Sequence, residues 1–495
     1  MFYLKEKECC VLTMPLLTEK WQEDIIEKRF KIMEHLKNSL IAYEKRKLKN
    51  LQRTKEYKDI VQNLENANPE QKKALYKKRK ELLIQAGFAK YTFENDMTPM
   101  QKHFVEHIAV QIAHKASWDV WKAFEKMLFG SGKTVHFERR GELKSIACKT
   151  IGNGMNFRNG YFEWSGGRCT NKIFLKIKVL DPETYYEKEM LKKKIKSLRI
   201  IRKWSKNKYK YYIQFTIEGK PAYKPRKIGN GKKVGIDIGP SSVAIVAENE
   251  VHLMELADKV VNNDKKKLFL QQKMDRSRRA TNLENFNKNG TIKKGKLNWV
   301  HSHHYEKMKN QVRELERKNA AIRKYQHVCL ANEVISLGTE IYVENMSFSG
   351  LQRRAKETTY NQNGRPNRKK RFGKSIANRA PAMFLTILKQ KLQIYADVEI
   401  HEVNTQKFRA SQYDHISNTY KKKLLKERWA ELGNGDKVQR DLYSAFLLMN
   451  SAGNLEQANR KYCEDTYDKF KMLHDKKINS LIMENKKHLS SFGIA

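Results

Sequence analysis

Asp237, Glu344 and Asp441 are the three carboxylates of this 495-residue chain whose neighbours give them a use. Asp237 lies in Val234-Gly235-Ile236-Asp237-Ile238-Gly239-Pro240, which continues as Ser241-Ser242-Val243-Ala244-Ile245-Val246. An apolar strand there delivers one carboxylate, turns on a glycine and returns as a second apolar strand. Glu344 closes the short strand Glu340-Ile341-Tyr342-Val343, and Asp441 opens the apolar helix Leu442-Tyr443-Ser444-Ala445-Phe446-Leu447-Leu448-Met449. Half-buried carboxylates in such places cost free energy unless a cation meets them. A trio of this kind can hold two Mg2+ ions about 3.5–4 Å apart, which clamp the attacking water and the leaving oxygen of an in-line phosphodiester displacement. Each residue alone has an ordinary reading as a turn aspartate, a strand-end glutamate or a helix N-cap. The Gly-Ile-Asp-Ile-Gly hairpin also leaves a second chemistry open, a loop closing on a nucleotide phosphate, as in actin-like ATPases and sugar kinases.

Charge separates the two. With 100 Lys+Arg against 55 Asp+Glu, the formal net charge is +45, and a compact chain repels itself at that charge unless a polyanion neutralises it. Nucleic acid is the natural partner, because each phosphate neutralised releases counterions and adds sequence-independent affinity. A metabolite kinase has no use for such a charge, and no second Gly-rich phosphate loop follows Glu344. No apolar run approaches the roughly 18 residues needed to span a bilayer, and the start carries no secretory segment. The chain is therefore expected to be soluble and cytoplasmic, with no membrane partner. Cys9, Cys10, Cys148, Cys169, Cys329 and Cys463 form no Cys-x-x-Cys pair and read as reduced thiols, so no zinc is expected.

The elements that must position the carboxylates follow from periodicity. Residues from about 19 to 129 read as helices, with Ile25, Ile26, Phe30, Met33, Leu36 and Leu40 at helical spacing among lysines. From about 134 to 217 the pattern becomes short β-branched and aromatic strands with Gly and Asn turns. A small β-barrel carrying a helical insertion fits that layout, and the Pro- and Gly-rich segment 220–231 reads as a linker. Beyond it come the Asp237 hairpin, a basic helix over about 301–337, the Glu344 strand, a basic loop, a helix over 380–395, a strand over 398–403 and the Asp441 helix. The fold class is multidomain α+β: an N-terminal β-barrel with inserted helices, then an interrupted ribonuclease-H-like α/β domain.

Candidate nucleic-acid contacts are Arg276, Arg278 and Arg279, the loop residues Arg353, Arg354, Arg368, Lys369, Lys370 and Arg371, the strand aromatics Tyr211 and Tyr212, and Arg440. Alternation along the strand predicts that half of its aromatics are core. Gly130-Ser131-Gly132-Lys133-Thr134 imitates the end of a phosphate loop, yet Met127 stands where its first glycine belongs and a helix precedes it. His301, His303 and His304 read as solvated or phosphate-facing groups of a basic helix.

The runs Asp237-Ile238-Gly239-Pro240, Val343-Glu344-Asn345-Met346 and Arg440-Asp441-Leu442-Tyr443-Ser444-Ala445 resemble the split RuvC nuclease of TnpB and of its miniature type V-F CRISPR effector descendants. The resemblance is carried by residues 233–450, and the N-terminal half matches by layout. It implies an RNA-guided endonuclease that cleaves double-stranded DNA with guide RNA as partner and Asp237, Glu344 and Asp441 as ligands of two Mg2+ ions. A transposon-encoded relative, or an RNA-guided protein that binds DNA without cutting, is the alternative. The implied division is a wedge-like barrel over 1–18 and 130–219, recognition helices over 19–129, a nuclease over 232–405 and 436–495, and a target-nucleic-acid-binding insert over 406–435. Family members commonly hold that insert with two zinc-binding Cys-x-x-Cys pairs. Here the cysteines are absent around Ser411-Gln412-Tyr413-Asp414-His415 and Trp429-Ala430-Glu431, so Phe408, Tyr413, Tyr420 and Trp429 are expected to hold it by packing. A compact chain of this length has a radius of gyration of about 23 Å. One copy can hardly enclose a heteroduplex of about 20 base pairs, and the resemblance implies a homodimer on one guide RNA.

Overall fold

The computed structural model describes residues 8–224, 228–367, 369, 372–422, 424, 427–484 and 488–494. It divides into two compact units, Met1–Lys224 and Pro225–Ala495. Among the described residues no helix is long and apolar enough to cross a membrane.

The first unit opens with β1 (Cys9–Leu17) and five helices, α1 (Lys20–Arg53), α2 (Lys55–Asn66), α3 (Pro69–Gln85), α4 (Lys90–Lys102) and α5 (Val110–Phe129). It continues with β2 (Ser145–Ala147), β3 (Met155–Arg158), β4 (Tyr161–Ser165), β5 (Phe174–Val179), α6 (Tyr185–Leu191), β6 (Ile195–Ser205) and β7 (Lys208–Glu218). A capping box of Glu19 and Gln22 starts α1, and one of Asn68 and Gln71, with Pro69 in the first turn, starts α3. The seven strands join in the order β2-β6-β7-β1-β5-β4-β3. Residues 9–15 of β1 pair with β7 and Leu16 and Leu17 with β5, so one strand turns the corner between two sheets. β2 and β3 end the ladder, and among the described residues hydrogen bonds do not close it into the expected barrel. Ile26, Phe30 and Met33 of α1, Phe93 of α4 and Phe124 of α5 share one core with Trp164, Ile213 and Phe215 of the sheet.

The second unit holds β8 (Lys233–Ile238), β9 (Ser242–Ala247), β10 (Val251–Glu255), α7 (Asp264–Thr281), α8 (His303–Leu337), β11 (Glu340–Glu344), α9 (Phe348–Leu351), α10 (Gly373–Arg379), α11 (Pro381–Tyr395) and β12 (His401–Val403). There follow α12 (Thr405–Phe408), β13 (Tyr413–Asp414), β14 (Thr419–Tyr420), β15 (Trp429–Glu431), β16 (Lys437–Gln439), α13 (Arg440–Met449) and α14 (Arg460–Met483). Its main sheet has the order β10-β9-β8-β11-β12. β8, β9 and β10 form an antiparallel meander, while β11 pairs in parallel with both β8 and β12. Val234, Ile236, Ile341 and Val343 face one layer built from Val334, Phe384 and Leu388 of α8 and α11.

Gly235 and Tyr342 face the other side, where α13 lies with every residue from Leu442 to Met449 buried. That helix is apolar all round because the sheet covers one side and α14 with β13, β15 and β16 the other. Gly235 lets it approach: a Cβ there would stand 1.9 Å from the Ala445 carbonyl oxygen and 2.5 Å from the Met449 nitrogen. Both are backbone atoms, so a side chain is accommodated only by moving the helix. Gly235→Ala is expected to destabilise the second unit by about 1–3 kcal/mol or more, as overpacking does. Calorimetry of the variant checks this, and an unchanged unfolding midpoint would show that α13 is not seated on β8 in this way.

Candidate functional site

β8 and β11 run parallel with Ile236 opposite Val343, so the next pair outward is Asp237 and Glu344. Side chains two apart share a face of a strand, which puts Asp237 beyond Gly235 and Glu344 beyond Tyr342, both on the α13 side. Asp441 is the second residue of α13, on the same side. The three sequence-predicted carboxylates thus lie on one side of the sheet, Asp237 and Glu344 at the carboxyl ends of two parallel strands, where open α/β sheets place their ligands.

Electrostatics ties them together. Burial, and then the charges of Asp441 and Glu344, hold the Asp237 carboxyl well above the usual carboxylate range, with Arg440 opposing. Burial pushes Glu344 up to about 7. Arg440 donates from Nε and Nη2 to Asp441 Oδ1, each at 3.2 Å, and from Nη1 to the Glu427 carbonyl at 3.0 Å. Among the described residues no three His, Cys, Asp or Glu side chains are gathered closely enough to hold a metal ion. The donor set itself, carboxylates without thiol or imidazole, suits a hard divalent cation. Mutual repulsion in a buried place is the deficit such a cation removes. Holding one requires the carboxylates to draw together and Arg440 to release Asp441.

The start of α13 is fixed by residues that sequence reasoning missed. Gln439 caps the helix, its Oε1 accepting from the Leu442 N–H at 2.8 Å, although Gln is not a usual cap residue. The Gln439 N–H donates to Nε2 of the buried His474 at 2.8 Å, and His474 Nδ1 lies 2.8 Å from Asp475 Oδ1. Burial lowers the His474 pKa, which keeps the ring neutral with Nε2 free to accept. Gln439 Nε2 donates to the Ser491 carbonyl at 3.4 Å, and Trp429 Nε1 to the Gly493 carbonyl at 2.9 Å.

In the insert one carboxylate joins the two turns, around residues 414–417 and at Gly433. Asp414 accepts from the Ile416 N–H at 3.0 Å, the Ser417 hydroxyl at 2.6 Å and the Gly433 N–H at 2.9 Å. His415 is fully buried, with Nδ1 2.7 Å from the Tyr443 hydroxyl. Of the four expected packing aromatics, Phe408 and Tyr413 are buried, while Tyr420 and Trp429 are 40% and 37% exposed. Ala430, Leu432 and Val438 complete the core in their place.

The expected nucleic-acid contacts divide. Tyr211 is a correction: it is buried, with its hydroxyl donating to Glu27 Oε1 at 2.8 Å, so its ring is not offered for stacking. Tyr212, one residue on, points the other way beneath Lys203. Arg278 and Arg279 pair with Asp275 at 2.6 and 2.7 Å and cover Trp299 and Phe286, which binds the 282–300 loop to α7, with both guanidinium side chains still partly exposed. Arg440 is taken by Asp441. Arg276, Arg353 and Arg354 are exposed, and Lys369 donates to the Lys356 carbonyl at 3.3 Å. Arg368, Lys370 and Arg371 lie outside the described residues. Just beyond α5, Gly132 donates its N–H to the Lys126 carbonyl at 2.9 Å, and a helix stands where a phosphate loop needs a strand, which excludes the phosphate loop. His301 stacks on Tyr305 at 4.2 Å.

Because Glu344 takes up its proton near pH 7 when folded and near 4.3 when unfolded, its ionisation destabilises the metal-free fold as pH rises between those values. Glu344→Gln is therefore expected to gain stability over wild type on going from pH 5 to pH 8 in chelator, by on the order of 3 kcal/mol. Denaturant titrations at both pH values measure it, and an equal difference at the two would show that Glu344 is not held protonated by burial.

No protein-family model matches the chain, and no curated protein matches it. Among solved structures, a Cas12f1–sgRNA–target DNA complex is similar at 11% identity and a TM-score of 0.45, over 91% of this chain and 100% of that one. A CRISPR–Cas12f ternary complex is similar at 13% identity and a TM-score of 0.26, over 87% and 82%. A Cas12i1 R-loop complex before target DNA cleavage follows at 10% identity and a TM-score of 0.28, over 93% of this chain and 65% of that one. At these scores the likenesses decide neither the fold nor the activity of the chain.

Proposed function

We propose that the chain is an RNA-guided, Mg2+-dependent endonuclease of the type V-F CRISPR effector kind, cleaving double-stranded DNA through one RuvC-like site. The observation that supports this is the placing of Asp237, Glu344 and Asp441 on one side of the sheet, where the charges of Asp441 and Glu344 act on Asp237. Their order along the chain and the residues around them are those of the split RuvC resemblance. Mg2+, when bound, supplies the charge that activates the attacking water and stabilises the leaving oxygen. Asp237 and Glu344 present oxygens from rigid strands, and Asp441 from a helix whose first turn is fixed by Gln439 and His474. The net charge of +45 serves guide RNA and heteroduplex through their backbones, while base pairing supplies sequence selection.

Asp237→Ala is expected to abolish cleavage and leave guide-RNA affinity within about twofold, because the carboxylate serves cations and contributes nothing to phosphate affinity. Cleavage within tenfold of wild type would sink the assignment. A wild-type complex that binds target DNA and never cuts it in Mg2+ or Mn2+ would favour the non-cutting alternative.

Two protein chains per guide RNA are expected. Mass photometry of the RNA complex at nanomolar concentration reads this directly, and a one-to-one mass would favour a monomeric TnpB-like protein.

A further inference from the structure

Residues 282–302 join α7 to α8, and the stretch Asn287-Lys288-Asn289-Gly290-Thr291-Ile292-Lys293-Lys294-Gly295-Lys296 is too polar to bury a core of its own. The loop is nevertheless held along its length. Asn282, fully buried, accepts from the Val300 N–H at 2.7 Å and donates to the Val300 carbonyl at 2.9 Å, which closes the loop at its base. Asn285, also buried, donates to the Asn298 carbonyl at 2.6 Å, and its own carbonyl accepts from the Lys293 N–H at 2.9 Å. At the tip the Gly290 N–H donates to the Asn287 carbonyl at 2.8 Å, and Phe286 pairs with Ile292 in an antiparallel bridge. Arg279 of α7 fastens the tip from outside, its Nη1 donating to the Gly290 carbonyl at 2.8 Å. A loop already ordered in this way loses little entropy when a partner arrives.

What it presents is positive charge. Lys288, Lys293, Lys294 and Lys296 are exposed, and among the described residues none of the four has an ion pair or a side-chain hydrogen bond. Glu284 is the one acid of the loop. The two rings, Phe286 and Trp299, meet edge to face at 5.6 Å and lie under Arg279 and Arg278 at 4.8 and 5.1 Å. Both are thus engaged within the loop, and the exposed apolar side chains, Leu283, Ile292 and Val300, are aliphatic. Binders of single strands stack unpaired bases on aromatic rings, and this loop offers ammonium groups instead. We propose that it docks on the phosphate backbone of a nucleic-acid duplex, with Lys288, Lys293, Lys294 and Lys296 as the contacts. Four lysines within nine residues suit the charge density of a duplex, about one phosphate per 1.7 Å of axis. The assignment rests on the function proposed above only in taking nucleic acid as the partner.

Affinity of the full chain for a DNA duplex of about 20 base pairs, for the matching RNA–DNA hybrid and for the single DNA strand is measured by fluorescence anisotropy across a NaCl series in chelator. Each phosphate contact on a duplex adds about 0.9 to the slope of log K against log salt, so Lys288→Gln, Lys293→Gln, Lys294→Gln and Lys296→Gln together are expected to lower that slope by about 3–4. The four corresponding Lys→Arg changes are expected to leave it as in wild type. In wild type, saturating duplex is expected to slow acetylation of the four lysines at least fivefold. A larger slope change on one duplex names it as the partner, and equal changes assign both. A slope change below about 1, unslowed acetylation, or a change as large on the single strand overturns the proposal. Neither guide RNA nor Mg2+ enters the test, so a chain that shows the slope change and never cuts DNA overturns the nuclease reading and leaves the loop's role standing.

Discussion

Backbone meets backbone where α13 crosses β8, and the second unit is organised around that approach. A helix can lie this close only over a residue without a side chain, and Gly235 provides the place. With the helix pinned there, its first turn comes level with the outer ends of β8 and β11. The same short separation excludes any intervening layer, so α13 is covered on its far side by α14 and by the small strands of the insert. Packing density and the placing of Asp441 are thus one constraint.

Within that frame the electrostatics runs against the rest of the molecule. A chain with 45 more basic than acidic side chains nevertheless gathers three acids at the edge of its sheet. Burial there raises the cost of ionising Asp237 and Glu344, and at Asp237 the charges of Asp441 and Glu344 raise it further. One arginine, Arg440, already leans on the most helix-bound of the three. The deficit is local and arises from position: two strand ends and a helix start place the acids on one side of the sheet.

How much of this the sequence shows depends on the physical rule concerned. The α1 face of Ile26, Phe30, Met33, Leu36 and Leu40 is legible because helical spacing states which side is buried. Spacing does not state against what, and the sharing of one core by those helices and the seven-stranded sheet is invisible to it. Alternation predicts that one of Tyr211 and Tyr212 turns inward. The register of β7 with β1 and β6 decides which. Arg278 and Arg279 look like a surface charge run, and Asp275 three and four residues earlier is the signal for the ion pairs they form. The positions of the carboxylates are legible because Asp237 lies within an apolar strand, Glu344 ends one and Asp441 stands in the first turn of an apolar helix. The cap at Gln439 is not, since it rests on His474 and Ser491, 35 and 52 residues away.

The dependence of α13 on distant partners has a temporal side. Gly235 leaves the ribosome some 200 residues before Ala445, and the cap on α13 is complete only when Ser491 and Gly493 have emerged to meet Gln439 and Trp429. Contacts of such sequence separation form late, because loop closure must precede any stabilisation they give. The basic first unit, whose pairings are internal to residues 9–218, can fold well before then. Synthesis therefore allows the first unit to stand complete for a long interval before the acid-bearing helix is in place.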